Sequence, residues 1–215
     1  MGVQQDDAVA IIGAGQHGRV VASILEAAGV PVAGHFDDDD SAWGTMLGRV
    51  PVVGGLDLIE QGSRAIVGIG DNEARRAITE QLDLTWVTAI HPFSWVHPDT
   101  VVGPGTVVCP GVTVQVGASV GSHVILNNRM GVGHDSHVGD FAHLTAGHLG
   151  GEAHVEEGAF MGIGSMVLPR VRVGAWAIVG AGAVVLSDVQ PGATVVGNPA
   201  RKIRPSGASA RSTTD

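Results

Sequence analysis

The chain of 215 residues has no tyrosine, a single cysteine and few aromatics, 4% of the total. Large rings therefore cannot fill its core, which must be built from small aliphatics. Cys109 has no second cysteine with which to form an internal disulfide, and this suits a reducing compartment. Basic residues are scarce as well: 12 Lys and Arg stand against 21 Asp and Glu, a net charge of −9. That balance argues against a general surface for nucleic acid or anionic membrane, while leaving room for one local basic pocket. No run approaches the roughly 18 apolar residues of a spanning helix. The opening MGVQQDD has neither the basic nor the apolar region of a signal peptide. Asp6 also stands where a myristoylation site needs Ser or Thr. A cytoplasmic protein with no membrane insertion is expected.

What is abundant is aliphatic and small. Apolar residues reach 44%, too many for a disordered chain. The 33 glycines are about twice the usual share, without collagen's three-residue period. Two halves differ in their periods. Over 8–90, short apolar runs alternate with helical patterns: a buried strand at Ala8–Ala14, a helix from about Gln16 to Ala28, and strands at Val32–Phe36 and Ala65–Ile69. A helix over Asp71–Leu82, capped by Asp71 or Asn72, follows, and Trp86–Ile90 closes the sheet as a last strand. The alternation predicts a small Rossmann-like parallel α/β domain over 1–92.

From residue 96 an aliphatic recurs every sixth residue: Val96, Val102, Val108, Val114, Val120, Leu126, Val132, Val138 and Leu144. After a one-residue slip the series resumes at Leu149 and runs through Val155, Met161, Val167, Val173 and Val179 to Val185, 16 units in all. A period of six fits neither an α-helix nor a hairpin sheet. It fits a β-helix over 93–204, with one flat face per hexapeptide and roughly five coils of three faces. Gly after the aliphatic and small residues at the fifth position, such as Thr106, Ala142 and Ser165, allow tight corners. The slip near Ala146–His148 should disturb one face locally. A polar, disordered tail is expected over 205–215.

Two groups of residues suggest chemistry. Gly13-x-Gly15-x-x-Gly18 follows a strand and opens a helix, so its backbone N–H groups can face a phosphate. Asp37 lies 19 residues beyond Gly18, near the spacing at which an acid meets a ribose hydroxyl. The motif alone leaves a dinucleotide and other phosphate ligands open. Among ten histidines, most are expected at the surface in structural roles. His134 is third in its hexapeptide, so it points away from the aliphatic interior, and Asp135 follows it. An imidazole oriented by a carboxylate can accept a proton near neutral pH. Cys109 has no activating base nearby in sequence and reads as structural.

The hexapeptide run resembles the left-handed β-helix acyltransferases, generally trimers. The whole chain is similar to the nucleotide-sugar N-acetyltransferases and sialic acid O-acetyltransferases that place a Rossmann-like domain before the β-helix. The matching stretches are IIGAGQHGRVV (11–21), FDDD (36–39), IGDNEARR (69–76), GHDSHVGDFAHL (133–144) and VVGNPARKI (195–203). The resemblance implies acetyl transfer from acetyl-CoA to the amine of a nucleotide-linked amino sugar, with O-acetylation of a sialic acid as the alternative. A non-catalytic scaffold that binds nucleotide sugar is an alternative of another class. It implies His134 as general base with Asp135, and Asn127 and His143 near the reacting groups. Gly13, Gly15 and His17 would approach the pyrophosphate, Asp37 and Asp38 the nucleoside, and Asp71 and Asn72 would border the pocket. For CoA it implies Gly151 at the thioester oxygen, Ile163, Ala181 and His143 along the donor, and Pro199, Arg201 and Lys202 near its nucleotide end. Arg129 and Met130 depart from the commoner N-T-G-A pattern of the family, which alters the sugar side. His134, His137, His143, His148 and His154 also admit a zinc reading, as in a β-helix carbonic anhydrase. Asp135 and the nucleotide domain have no place in that enzyme, so no metal is expected.

Overall fold

A computed structural model describes residues 7–203; the expected tail over 205–215 lies outside the described residues. Apolar runs of the first half form a six-stranded sheet in the order β3-β4-β2-β1-β5-β6. Its members are β1 (Val9–Ile12), β2 (Val32–Phe36), β3 (Met46–Leu47), β4 (Val50–Gly54), β5 (Arg64–Val67) and β6 (Thr85–Trp86). All pair in parallel except the β3–β4 hairpin. Helix α1 (Gln16–Ala27) buries Val21, Ile24 and Leu25 beside the wholly buried β1. Helix α2 (Asn72–Thr79) begins where Asp71 accepts a hydrogen bond from the Ala74 N–H at 2.8 Å, the cap that the sequence predicts.

Two features depart from the sequence reading. The β3–β4 hairpin was not anticipated, because Pro51 interrupts an otherwise strand-like run. Residues Trp86–Ile90 do not form one strand. Trp86 ends the α/β sheet in β6, whereas Ala89–Ile90 pairs with Val107–Val108 and starts the second half. Ile90 lies six residues before Val96, so the hexapeptide spacing already applies to it.

The second half is a left-handed β-helix of strands two or three residues long, and from Val107–Val108 to Thr194–Val196 the second residue of each is buried in the interior. Face one carries Ala89–Ile90, Val107–Val108, Ile125–Leu126, His143–Leu144, Phe160–Met161, Ile178–Val179 and Thr194–Val196. Face two runs from Trp95–Val96 to Val184–Val185, and face three from Val101–Val102 to Arg172–Val173. Val108, Leu126, Leu144, Met161 and Val179 stack in the interior at 0% exposure, so nearly their whole transfer free energy stabilises the coil stack. Two units escaped the periodic count: Val189, bridged to Val173, and Val195. The fifth positions Thr106, Ala118, Ser136, Ala142, Ala159, Ser165, Ala177 and Ala183 are all buried, which explains their small size.

Glycine after the aliphatic serves coil-to-coil contact rather than corner geometry. A Cβ on Gly139 would lie 2.6 Å from Glu157 N in the next coil. The left-handed backbone falls instead at the fourth position, as at Gly117 (φ 71) and at Asp135 (φ 56). The slip shortens the corner at 145–147, so coils 18 residues apart in register become 17 apart, as in Gly131 paired with His148. The distortion stays on the edge between faces one and two, here called the first edge. The edge between faces two and three is the second edge, and that between three and one the third.

The α/β domain sits on face one. Ala89, Val107 and Ile125 point outward from that face yet are 0–1% exposed. Beneath α2, Arg75 is buried and spans the two domains. Its guanidinium donates to the carbonyls of His123 (2.8 Å), Phe141 (2.6 Å) and Ile69 (3.1 Å), and to the Asn72 side-chain oxygen (2.9 Å). Burial lowers its pKa to about 10, still far above neutrality.

Candidate active site

The phosphate-type loop is shaped by three glycines with different tasks. Gly13 has φ 104, and a Cβ there would meet the Ile69 side chain. At Gly18 a Cβ would collide with the Gly13 carbonyl, so the helix can approach the strand only without one. Gly15 faces open space and caps α1 without any side-chain hydrogen bond, leaving the helix N-terminus free for an anion. Asp37 braces this loop: its carboxylate accepts from Ala14 N (2.7 Å) and Asp39 N (3.0 Å). Asp38 accepts from Leu56 N at 3.2 Å. Beneath the loop, wholly buried His35 lies 3.0 Å from the Gly13 carbonyl through Nδ1, and burial pushes its pKa down.

His143 stands on face one where the two domains meet. Its Nδ1 donates to the Gly70 carbonyl at 3.2 Å, and its Nε2 lies 3.5 Å from Asn127 Nδ2 on the first edge. The His17 ring lies 6.2 Å away. Burial first, and then the charge of Arg75, lower the His143 pKa to about 4. Burial, with His143 next, lowers that of His17 to about 3. Both rings are neutral at pH 7, and His143, with its proton on Nδ1, presents a lone pair on Nε2. Asp71 is spent on the α2 cap. Asn72 is buried, with its amide donating to the Gly158 carbonyl at 3.0 Å, so it ties the domains together and offers nothing outward.

His134 and Asp135 occupy the second edge. The Asp135 carboxylate can only accept, so His134 Nδ1–H donates to its Oδ2 at 2.9 Å, which in the neutral ring puts the lone pair on Nε2; the side chain is half-exposed. Left-handed backbone at Asp135 lets adjacent side chains turn toward each other. Gly151 lies in the next coil directly beside the ring: a Cβ there would be 2.5 Å from His134 Cε1 and 2.9 Å from Cδ2. Also on this edge, Glu152 N donates to the His134 carbonyl (2.8 Å), while Arg170 pairs with the Glu152 carboxylate (2.9 Å) and holds its pKa below the usual range.

The residues expected along CoA fall elsewhere. Ile163 and Ala181 are exposed on the first edge in successive coils, joined by Gly182 N donating to the Ile163 carbonyl at 2.8 Å. That ridge leads to the terminal hairpin, where Thr194–Val196 pairs antiparallel with Arg201–Ile203. Pro199, Arg201 and Lys202 lie in or beside the hairpin. Asn127 and His143 are therefore gathered with the nucleotide loop, and His134 with Asp135 and Gly151, but the two groups flank opposite sides of face two.

Several histidines are less exposed than the sequence suggests. His35 and His123 are buried, and His123 stacks on Phe141 (5.3 Å, 4°) and meets the Trp86 edge at 5.0 Å. Arg75, His35 and His123 were all missed; IGDNEARR contains Arg75, but nothing in its spacing reveals a buried cation. The five clustered histidines scatter over three faces, and among the described residues no three metal-ligating groups converge. Burial raises the Cys109 thiol to about 11, away from reactivity at neutral pH.

A hexapeptide β-helix with an oriented histidine on one edge, joined to an α/β domain with a free glycine-rich helix terminus, is the architecture of the two-domain members of the hexapeptide-repeat acyltransferases. Residues 8–82 match the PglD N-terminal domain family. Perosamine N-acetyltransferase from Caulobacter crescentus, solved as a variant with CoA and GDP-perosamine, is 38% identical, with 92% of this chain and 97% of that one covered at a TM-score of 0.86. The acetyltransferase domain of PglB from Neisseria gonorrhoeae, solved with acetyl coenzyme A, is 34% identical, with 92% and 100% covered at 0.85. GlmU of Rubrobacter xylanophilus is 41% identical over 78 residues, 17% of its length. The chain spans less than half the length of the curated relatives it matches. It belongs to the nucleotide-sugar acetyltransferases of the hexapeptide-repeat family. Among the described residues no helix is long and apolar enough to cross a membrane.

Proposed function

We propose that the chain transfers acetyl from acetyl-CoA to the amine of a nucleotide-linked amino sugar, for glycan biosynthesis in the cytoplasm. The observation that carries this is His134, bonded through Nδ1 to Asp135, with its free Nε2 beside Gly151. The neutral amine attacks the thioester carbonyl and His134 Nε2 takes the amine's proton, so no acyl-enzyme is needed. The Gly151 N–H stabilises the thioester oxygen as negative charge develops, and the thiolate of CoA leaves. Asp135 fixes the tautomer and stabilises the imidazolium. The free N-terminus of α1 receives the diphosphate, with Gly13, Gly15 and His17 nearest to it, Asp37 and Asp38 toward the nucleoside, and Asp71 at its border, while Asn72 stays between the domains. His143 and Asn127 lie toward the sugar, while Ile163, Ala181, Pro199, Arg201 and Lys202 follow CoA.

A homotrimer reconciles the two separated groups. Face two exposes Trp95, Met166 and, at its margins, Leu168 and Leu186. Turned toward a three-fold axis, it brings the first edge of one protomer against the second edge of the next. His134 of one copy then meets the nucleotide and CoA residues of another. Incubation with acetyl-CoA and UDP-, GDP- and dTDP-amino sugars tests the activity by CoA release and product mass. Acetylation of none of them, or full activity in a monomer by light scattering, overturns the respective reading.

A further inference from the structure

The acetyl transfer makes no use of His35, near the end of β2. Its ring is 0% exposed, and its Nε2 has no hydrogen-bond partner among the described residues. Burying an unpartnered nitrogen costs free energy that a leucine or phenylalanine in the same place would not. Against that cost stands one bond: Nδ1 lies 3.0 Å from the Gly13 carbonyl. Burial lowers the pKa of the ring, so it is neutral at pH 7. A carbonyl can only accept, which puts the single proton on Nδ1 and the lone pair on Nε2.

The other edge of the same peptide unit is held as well, because Ala14 N donates to Asp37 Oδ2 at 2.7 Å. In a trans peptide the C=O and N–H point in opposite directions, so the 13–14 plane is clamped from both sides. His35 and Asp37 are two residues apart, the spacing that sends side chains to one side of a strand. The loop needs such support. Gly13 has φ 104, where glycine alone moves freely. Gly15 faces open space and has no side-chain cap. A Cβ on Gly18 would collide with the Gly13 carbonyl and lie 3.3 Å from His35 Cε1, so ring, carbonyl and helix meet at one point. Rotation of the 13–14 plane would turn the carbonyl toward the Asp37 carboxylate and displace Gly15, from which α1 starts.

We propose that His35 is a positioning residue for diphosphate binding: through the Gly13 carbonyl it fixes the peptide plane that aims the free N–H groups of the α1 N-terminus at the phosphates. This role rests on the nucleotide-sugar reading of the loop. His35 acts through Gly13, and a loop already ordered before binding spares the ligand the cost of ordering it.

His35→Leu removes the donor and keeps apolar bulk. His35→Asn keeps a donor, since its Nδ2 is bonded to Cγ as the imidazole Nδ1 is. Both variants shrink a buried side chain and should lower the melting temperature, but only leucine should weaken the diphosphate. In calorimetry with UDP, GDP and dTDP, the tightest of the three should bind about tenfold more weakly to His35→Leu and within about threefold of wild type to His35→Asn, the scale of one hydrogen bond. KM for the amino sugar should rise by the same factor in His35→Leu, with kcat and KM for acetyl-CoA unchanged. Hydrogen exchange at the Ala14 amide should quicken in that variant while exchange at Ile11 in β1 does not. Wild-type diphosphate affinity in His35→Leu overturns the role. Equal weakening by both variants also overturns it, by assigning His35 to packing alone. If His35→Leu does not fold, His35→Asn decides: near wild-type affinity upholds the clamp, and a loss of about tenfold rejects it. A wild type that binds none of the three diphosphates overturns the nucleotide reading together with the clamp.

Discussion

Gly151→Ala separates catalysis from folding at one atom. The Gly151 backbone lies outside the left-handed region, so alanine fits the chain locally. Its methyl, however, would overlap the His134 ring, which must rotate away and give up its 2.9 Å bond to Asp135. That ring is the far end of a side chain with 53% exposure, so moving it costs the fold little. An off-rotamer imidazole costs about 0.5–1.5 kcal/mol, a melting shift of a few degrees at this chain length. Catalysis loses the oriented base instead, a factor of about 10²–10⁴ in kcat. That equals roughly 3–5 kcal/mol of barrier. The Gly151 N–H remains in the alanine variant, so the loss belongs to the displaced base and not to the oxyanion donor. Steady-state kinetics beside a thermal melt read both quantities. A kcat within threefold of wild type with unchanged melting would refute the placement of His134 beside the reacting atoms.

His134→Asn should lower kcat by about 10²–10⁴ with little change in either KM, and Asp135→Asn should cost less because the imidazole stays; near wild-type turnover by His134→Asn over pH 6–9 would reject the base. Gly15→Val should fill the open space at the α1 N-terminus, weakening nucleotide-sugar binding in calorimetry while NADH binds neither form. Tight NADH binding by the wild type would contradict the assignment of that loop. Between about pH 6.5 and 4 the unfolded chain protonates His123 while the folded chain, with a pKa lowered to about 4, does not, so stability falls as pH falls through that window. His123→Phe keeps the stack on Phe141, which already adopts the same left-handed corner (φ 58 against φ 55). It should flatten the acid loss by up to about 3 kcal/mol in denaturant titrations, and an unchanged slope would place the sensitivity in His17, His35 or His143. Arg75→Met strands the carbonyls of His123 and Phe141 and should cost about 3 kcal/mol or more of stability; a neutral result would show that the domains hold together without it.

The solenoid was legible because its signal is one-dimensional. An inward Val, Ile, Leu or Met every sixth residue reports its own environment, and the small fifth position reports the crowded interior corner. The glycine-rich loop was legible in part for a local reason, since Gly18 packs on the Gly13 carbonyl five residues away, whereas the contact of Gly13 with Ile69 is a long-range one. Ala89–Ile90 was misplaced because a two-residue strand carries no period of its own. Arg75, His35 and His123 were hidden for a different reason. Arg75 and His123 are buried where the two domains meet and His35 beneath the Gly13 loop, and a sequence shows neither those contacts nor the carbonyls that satisfy a buried guanidinium. The pairing of His134 with Asp135 lies between these cases. Adjacency is visible in the sequence, but their mutual contact depends on the φ of 56° at Asp135.

The terminal hairpin has a further consequence for the molecule as a material. A stack of parallel rungs has no natural end, because its final strand offers unpaired N–H and C=O groups to any strand that arrives. Here the chain folds back, and Arg201–Ile203 runs antiparallel along Thr194–Val196, breaking the parallel pattern. Arg201 and Lys202 add positive charge to that rim, so two copies that meet there repel. Cutting the chain after Gly197 would remove both devices together and leave a bare apolar rung. The truncated molecule would then be a monomer for linear polymerisation, growing end to end by the hydrogen bonding that now stops inside one chain.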